Sequence, residues 1–295
     1  MNKSISLVLG SGGARGYAHI GVIEALETAG FTINAIAGSS MGALIGGLYA
    51  NQTLDKYKEW VLTLDFLDLL RLVDFTFSEA GIIKGDRVFD QMAYLLGDVA
   101  IEELPILYTA VATDLVKRRE VWFQRGSLKQ AIRASIAIPM VFTPVRQGKR
   151  ILVDGGILNP LPLAPTVSHH TDLVVAVNLN ASQGQSYSVA LPQEEQDKQD
   201  QFQNNFRRFL GNLRWNFWRK ERQSDISMFE IMHRSFETMQ QSLSNYKIVG
   251  YPPDVVIQIP ADACNFYDFH KAYTMIELGR TAATKALEDL EIPDD

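Results

Sequence analysis

A Gly-x-Ser-x-Gly motif at residues 38–42 constrains the fold of this chain more than any other feature. It reads Gly38-Ser39-Ser40-Met41-Gly42, follows an apolar run and precedes a segment of helical character. That order predicts Ser40 on a sharp strand-to-helix turn, where Gly38 and Gly42 permit a tight backbone and close approach of another group. The positive end of the following helix would face an anion formed at Ser40. The motif alone leaves two interpretations open, a nucleophile elbow and a glycine-rich turn that packs a helix on a sheet.

The segments around the motif alternate between strand and helix patterns. Residues 5–9 and 33–37 predict buried strands, and residues 18–29 and 41–50 predict helices. This β-α-β-α order implies a parallel sheet. Further strands are predicted at 108–113, 121–123, 150–153, 173–178 and 254–259, and further helices at 54–72, 128–135, about 202–245 and 269–290.

Composition excludes several classes of protein. The chain has 295 residues, 46% of them apolar and 21% charged, which is the composition of a globular protein. Its net charge of −6 argues against a general nucleic-acid binder. The single cysteine, Cys264, cannot form an internal disulfide, and no apolar run is long enough to span a membrane. We therefore expect a cytoplasmic protein.

A glycine-rich loop at residues 10–16, GSGGARG, lies between the first strand and the first helix. Such a loop presents backbone N–H groups to an anion. A dinucleotide fingerprint that begins at Gly10 requires glycine where the chain has Arg15. One that begins at Ser11 loses its first glycine and lacks an acidic ribose anchor. The Gly-Lys-Ser/Thr ending of a P-loop is absent, so an oxyanion hole for acyl transfer fits the loop better.

A base is needed to activate Ser40, and Asp154 is the candidate. It follows an apolar strand and precedes Gly155 and Gly156, although an aspartate in this position also closes ordinary turns. None of the five histidines, which are His19, His169, His170, His233 and His270, follows a strand in a glycine-flanked loop. Asp86 and Asp114 lie near loops, but no set of metal ligands accompanies either. We therefore expect neither a metal nor a cofactor.

Taken together, these motifs resemble those of the patatin-like phospholipase family, in particular its small bacterial members. The resemblance rests on residues 11–16, on the elbow at 38–42, on Asp154-Gly155-Gly156 and on the segments 134–139 and 142–145, in family order and spacing. It covers residues 5–168, which we interpret as the catalytic core. Residues 169–295 are interpreted as its continuation. One departure is Ser11, where many members have glycine.

The resemblance implies the fold, the chemistry and the roles of particular residues. The fold would be α/β, a three-layer α/β/α arrangement with a mostly parallel central sheet. Ser40 would be the nucleophile and Asp154 the general base of a Ser-Asp dyad without histidine. The N–H groups of Gly12 and Gly13 would form the oxyanion hole, with Ala14 and Arg15 as further candidates. The activity would be hydrolysis of acyl lipid esters through an acyl-enzyme.

Two alternatives to a lipid hydrolase stay open. The chain could be a regulatory or scaffold protein of the same fold with minor activity, although its intact Ser40, Asp154 and glycine loop argue against lost chemistry. It could also be a soluble short-chain esterase or thioesterase. The sequence does not decide the oligomeric state.

The C-terminal part contains two segments of unusual composition. Residues 181–205 are rich in Gln, Ser, Asp and Glu, which predicts a flexible surface segment that could be a lid or a linker. Residues 206–222 hold six basic residues, one acidic residue and five aromatic ones. That composition suits a helix on the inner face of an anionic membrane, but also a helix that packs its aromatics on the core and solvates its arginines.

Overall fold

The structure is a computed structural model that describes residues 3–64, 68, 86–139, 141–182, 187, 189–202 and 228–290. Strands β1 to β8 of this part span Ser4–Leu9, Thr32–Ser39, Leu107–Asp114, Arg119–Phe123, Val145–Gln147, Arg150–Asp154, Leu173–Ala181 and Val255–Pro260. Helices α1 to α8 span Ala18–Thr28, Met41–Ala50, Leu54–Thr63, Asp86–Leu96, Leu128–Ser135, 193–202, Met228–Gly250 and Ala272–Glu288.

The strands form one mostly parallel sheet. Its order is β5-β6-β3-β2-β1-β7-β8, and β4 also pairs with β3. Strands β3, β2, β1, β7 and β8 run parallel to one another, whereas β4, β5 and β6 form antiparallel pairs. The central strand β1 is buried from Ile5 to Leu9, as expected of a strand covered on both faces.

Helices cover both faces of this sheet. Side chains alternate along β1, so Leu7 and Leu9 face one side and Val8 faces the other. Leu7 and Leu9 belong to the main core, which includes residues of α1, α2 and α8. Val8 belongs to a smaller core, against which Ile248 of α7 packs. The predicted α/β class with a mostly parallel central sheet flanked by helices is confirmed.

Two strands meet end to end along one edge of β3. Val111 pairs with Ser39 of β2 on one side and with Trp122 of β4 on the other. The next residue, Ala112, pairs with Asp154 of β6 and again with β4. Because β4 occupies one edge at both positions, β2 and β6 must share the opposite edge. The last residues of β2 and β6 are therefore neighbours.

Several predicted elements differ from the structure. Of the helix predicted over 54–72, α3 covers Leu54–Thr63, and Leu64 adopts an extended conformation (φ −66°, ψ 124°). Residue 68 is again helical, and residues 65–67 and 69–72 lie outside the described residues. Helix α4 and strand β5 were not predicted. Strand β5 has only three residues, which is too short for a pattern, whereas the 11 residues of α4 do have an amphipathic helical pattern that the sequence analysis missed. Within the segment 181–205, residues 193–202 are helical. Residues 206–222 lie outside the described residues.

None of the helices in the described part of the chain combines the length and the apolar character needed to cross a membrane.

Helices α1 and α8 pack backbone to backbone, which allows a test of the fold. A Cβ added at Gly279 of α8 would overlap the carbonyl oxygen of Ala18 in α1. We expect Gly279→Ala to lower the free energy of unfolding by about 1–3 kcal/mol, because the helices must separate. Gly250→Ala is the matched control, since no atom lies within 4 Å of its added Cβ. Chemical denaturation measures both, and equal stability of the two variants would contradict this packing.

Candidate active site

Ser40 lies at the elbow between β2 and α2. Strand β2 ends at Ser39 and α2 begins at Met41, so Ser40 alone makes the turn, with φ 55° and ψ −125°. A side chain in this backbone region costs about 1–3 kcal/mol, which the surrounding structure must offset. Gly38 and Gly42 make the turn possible, because a Cβ on either would overlap backbone atoms, those of Gly42 and of Leu9 respectively.

Ser40 and Asp154 form a direct hydrogen bond. Ser40 Oγ donates to Asp154 Oδ2 at 2.6 Å, and the Gly156 N–H donates to Asp154 Oδ1 at 2.7 Å. Both residues are buried, with 2% and 1% of their surfaces exposed. This contact follows from the shared edge of β3, which brings the end of β2 against the end of β6. A serine held by a carboxylate in this way has an acceptor for its proton.

Burial changes the acidity of Asp154. It raises the pKa of the carboxyl group from 3.8 to about 7, because the charged form loses its water. The hydrogen bonds from Ser40 and Gly156 act in the opposite direction and lower the pKa. A carboxylate with a pKa near 7 is a far better proton acceptor than an ordinary aspartate, and it is still substantially ionised at neutral pH.

Ser135, at the end of α5, holds the backbone of the elbow in place through two hydrogen bonds. It is fully buried, its Oγ accepts the Ser40 N–H at 3.0 Å, and it donates to the Val111 carbonyl at 2.6 Å. Two residues later, the Ala137 carbonyl accepts the Asp154 N–H at 2.9 Å. One short segment thus holds the backbone of both members of the pair. Sequence reasoning placed 135 in a family-like segment but assigned it no role.

The glycine-rich loop packs beside this pair. A Cβ added at Gly156 would lie 2.6 Å from Ser11 Oγ and 3.0 Å from Asp154 Oδ1, so the start of the loop borders the carboxylate. Most of the loop amides are already used. They donate to carbonyl oxygens in four pairs, Gly10 to Val177, Ser11 to Pro160, Ala14 to Phe266 and Arg15 to Gly12.

Two amides of the loop remain available. Within the described ranges, neither the Gly12 N–H nor the Gly13 N–H donates to a protein acceptor. The other two candidates for an oxyanion hole, Ala14 and Arg15, have N–H groups that already bond within the fold. Gly12 and Gly13 are therefore the amides that could stabilise an anion at this loop.

The Arg15 side chain anchors the loop. It is 1% exposed and donates to the carbonyl oxygens of Ala261 and Cys264 and to the side chains of Asn180 and Glu237. Asn180 in turn donates to the Ser11 carbonyl at 2.9 Å. Sequence reasoning missed Asn180, because an asparagine at the end of a buried strand carries no distinctive spacing.

Gln240 reaches the site from α7. It is 2% exposed, and its Nε2 donates to the Gly156 carbonyl at 3.2 Å. Gly156 lies two residues beyond Asp154, so this contact places α7 over the loop that follows the carboxylate. No sequence signal indicated this residue, because its contact joins segments that are 84 residues apart.

None of the histidines whose side chains are described takes part in the pair. His19 is fully buried, and its Nε2 is 2.8 Å from the Gly10 carbonyl. Burial lowers the pKa of His19 to about 4, so the ring is neutral near pH 7 and Nε2 donates this hydrogen bond. The His270 ring stacks on Phe202. In the part of the chain that the structure describes, no histidine is hydrogen-bonded to Ser40 or Asp154.

No group of three or more His, Cys, Asp or Glu side chains among the described residues is placed to hold a metal ion. Asp114 uses Oδ1 to accept the N–H groups of Val116 and Lys117, which closes the turn after β3. The side chain of Asp86 lies outside the described part.

Comparison with known proteins gives consistent matches. The family model described as patatin-like phospholipase matches residues 7–167. An uncharacterized NTE family protein of Mycobacterium bovis is 40% identical, over 99% of this chain and 93% of the relative. The patatin-like phospholipase domain-containing protein 6 of Mus musculus is 32% identical, over 61% of this chain and 14% of its own length.

Among solved structures, VipD from Legionella pneumophila matches with a TM-score of 0.45 and 15% sequence identity. The match covers 97% of this chain and 67% of that one.

The raised pKa of Asp154 predicts a pH-dependent effect on stability. The folded protein binds more protons than the unfolded chain between about pH 4 and 7, so the free energy of unfolding falls as the pH rises through that window. Asn cannot ionise, so we expect Asp154→Asn to unfold at a higher temperature than the original protein at about pH 8, with a smaller difference at about pH 4.

Asp172→Asn is the matched control for this thermal unfolding experiment. Its hydrogen bonds with Ser4 lower the pKa of the Asp172 carboxyl. We therefore expect Asp172 to affect the pH dependence of stability in the opposite direction. Any stability that its charged form contributes is present above the pKa of the unfolded chain and is lost in acid. A loss of stability in Asp154→Asn that is the same at both pH values would contradict the account of the buried carboxylate.

Proposed function

The chain belongs to the patatin-like phospholipase family, and on that premise we propose that it is a serine acyl hydrolase that cleaves carboxylic esters of phospholipids or related acyl lipids. Family membership supports lipid hydrolase activity in general. The observation that carries the finer proposal is the buried 2.6 Å hydrogen bond from Ser40 Oγ to Asp154 Oδ2. It joins a nucleophile to a proton acceptor without any intermediary.

In the first half of the proposed reaction, Ser40 Oγ attacks the ester carbonyl and its proton passes to Asp154 Oδ2. Negative charge develops on the carbonyl oxygen. The N–H groups of Gly12 and Gly13 stabilise it, together with the N-terminal end of α2, which begins at Met41. The tetrahedral intermediate collapses to an acyl-enzyme, and Asp154 returns the proton to the leaving alcohol.

In the second half, a water molecule replaces the alcohol. Asp154 removes its proton as it attacks the acyl-enzyme, and the same two amides hold the oxyanion. Release of the fatty acid returns the proton to Ser40. The raised pKa of Asp154 suits both halves, because one carboxyl group must accept and donate a proton near neutral pH.

Three expectations rest on the sequence alone and stay predictions. The first is a membrane contact through residues 206–222, and the second is a cytoplasmic location. The third is the division into a core at 5–168 and a continuation at 169–295. The choice between a lipid hydrolase and a short-chain esterase is decided by activity on micellar against monomeric esters.

The proposal predicts which of two adjacent serines is needed. We expect Ser40→Ala to lower kcat/KM for a micellar phospholipid by about a thousandfold or more, because the nucleophile is lost. Ser39→Ala is the matched control and should retain activity, since Ser39 is equally buried and its Oγ has no hydrogen-bond partner in the described part of the chain.

The same assay with the unchanged protein should show kcat/KM rising with pH through an apparent pKa near 7, because only ionised Asp154 accepts the serine proton. Full activity in a folded Ser40→Ala protein would overturn the proposal. Activity on monomeric esters alone, with none on micelles, would favour the short-chain esterase.

A further inference from the structure

Helix α7 has an unusual distribution of polar and apolar side chains. A surface helix normally buries an apolar face and exposes a polar one. Among the α7 side chains whose burial is described, the two that are fully buried are Gln240 and Ser244, which are both polar. Several large apolar side chains of the same helix are exposed instead.

Polar contacts fix which side of α7 faces the protein. Glu237 pairs with Arg15 of the glycine-rich loop at 2.9 Å. Gln240 donates to the Gly156 carbonyl, and Lys247 pairs with Glu120 of β4 at 2.7 Å. Residues 237, 240, 244 and 247 follow the three- and four-residue spacing of one helix face. These contacts fix the orientation of α7 about its own axis, so its inner face stays turned toward the rest of the protein.

The opposite face carries an apolar row that we name the α7 outer stripe. It consists of Met232, Met239, Tyr246 and Val249, with exposed fractions of 50%, 56%, 74% and 80%. Spacings of seven, seven and three residues keep these side chains on one side of a helix, over a length of about 26 Å. Exposed apolar side chains are ordinary when scattered, but four of them aligned on one side of a helix indicate an interaction surface.

Charge distinguishes the kinds of surface that the stripe could meet. Helix α7 contains two carboxylates, Glu230 and Glu237, in a chain whose net charge is −6. The side chain of Glu230 lies outside the described part of the chain. Glu237 lies on the inner face, paired with Arg15. Among its described side chains, the outer side of α7 therefore presents no carboxylate to repel an anionic lipid surface. Apolar side chains on one face of a helix are the ones that insert at a lipid interface.

We propose that the α7 outer stripe is the surface by which this protein docks on aggregated lipid, including lipid that carries anionic headgroups. This inference rests on the proposed function, because it supplies the way in which a lipid hydrolase meets its substrate. Through Gln240, the inner face of the same helix contacts Gly156, two residues from Asp154. Docking therefore places the lipid surface one helix diameter, about 10 Å, from the loop that carries the base.

The test compares two double variants, each of which removes one exposed tyrosine and one exposed valine. Tyr246→Gln with Val249→Gln alters the stripe. Tyr94→Gln with Val167→Gln is the matched control, at positions that are 86% and 67% exposed and lie on other elements. Binding is measured by co-sedimentation with vesicles of diether phosphatidylcholine and a minor fraction of diether phosphatidylglycerol, which no esterase can cleave.

We expect the stripe variant to bind these vesicles about tenfold or more weakly than the unchanged protein, and the control to bind equally well. Hydrolysis of a soluble monomeric p-nitrophenyl ester should be the same in all three proteins, because the Ser40–Asp154 pair is untouched. In a separate assay with vesicles of ordinary diester phospholipids of the same headgroup composition, hydrolysis of the vesicle lipid should fall in the stripe variant alone.

Equal vesicle binding by the unchanged protein and the stripe variant would overturn the inference, as would failure of the unchanged protein to bind. If light scattering shows instead that the stripe variant turns a dimer into a monomer while vesicle binding persists, the stripe is a self-association surface. If the unchanged protein hydrolyses no ester at all, that result would count against the proposed function. It would not count against docking, since the diether vesicles report binding alone.

Discussion

The structure depends on one constraint, which is that β2 and β6 share a single edge of β3. Because one strand approaches in parallel and the other antiparallel, their last residues meet at Val111 and Ala112. That meeting point is where Ser40 turns into α2 and where Asp154 leaves β6. The serine and the carboxylate therefore come together through sheet register, although 114 residues separate them in the chain.

Two unfavourable features coincide at this point and are held by the same surroundings. Ser40 has a positive φ, and Asp154 is a carboxyl group removed from water. Each of these unfavourable features would be relieved if the backbone at that residue could move. Ser135 and the Ala137 carbonyl prevent this by binding the two backbones from one end of α5. The pair is thus kept in a state that costs stability and that, in the proposed reaction, would favour proton transfer.

Much of the fold could be predicted from the sequence, because β1, α1, β2 and α2 are apolar runs separated by glycine-containing turns and their order implies a parallel sheet. Ser40 and Asp154 could be named because glycines mark both turns. Ser135, Asn180 and Gln240 could not, since their roles arise from contacts between distant segments and from burial, which a local pattern does not encode. The same limit hid the polar inner contacts and the exposed apolar row of α7, since apolar residues on a helix would ordinarily predict a buried side.

The most direct test of the central claim is the reaction of the purified protein with a fluorophosphonate probe, with the adduct located by mass spectrometry. The account predicts an adduct on Ser40, none on Ser39 and much slower labelling in Asp154→Asn, because the serine would lose its proton acceptor. Labelling of folded Asp154→Asn at the original rate, or persistent labelling of Ser40→Ala at another residue, would contradict it.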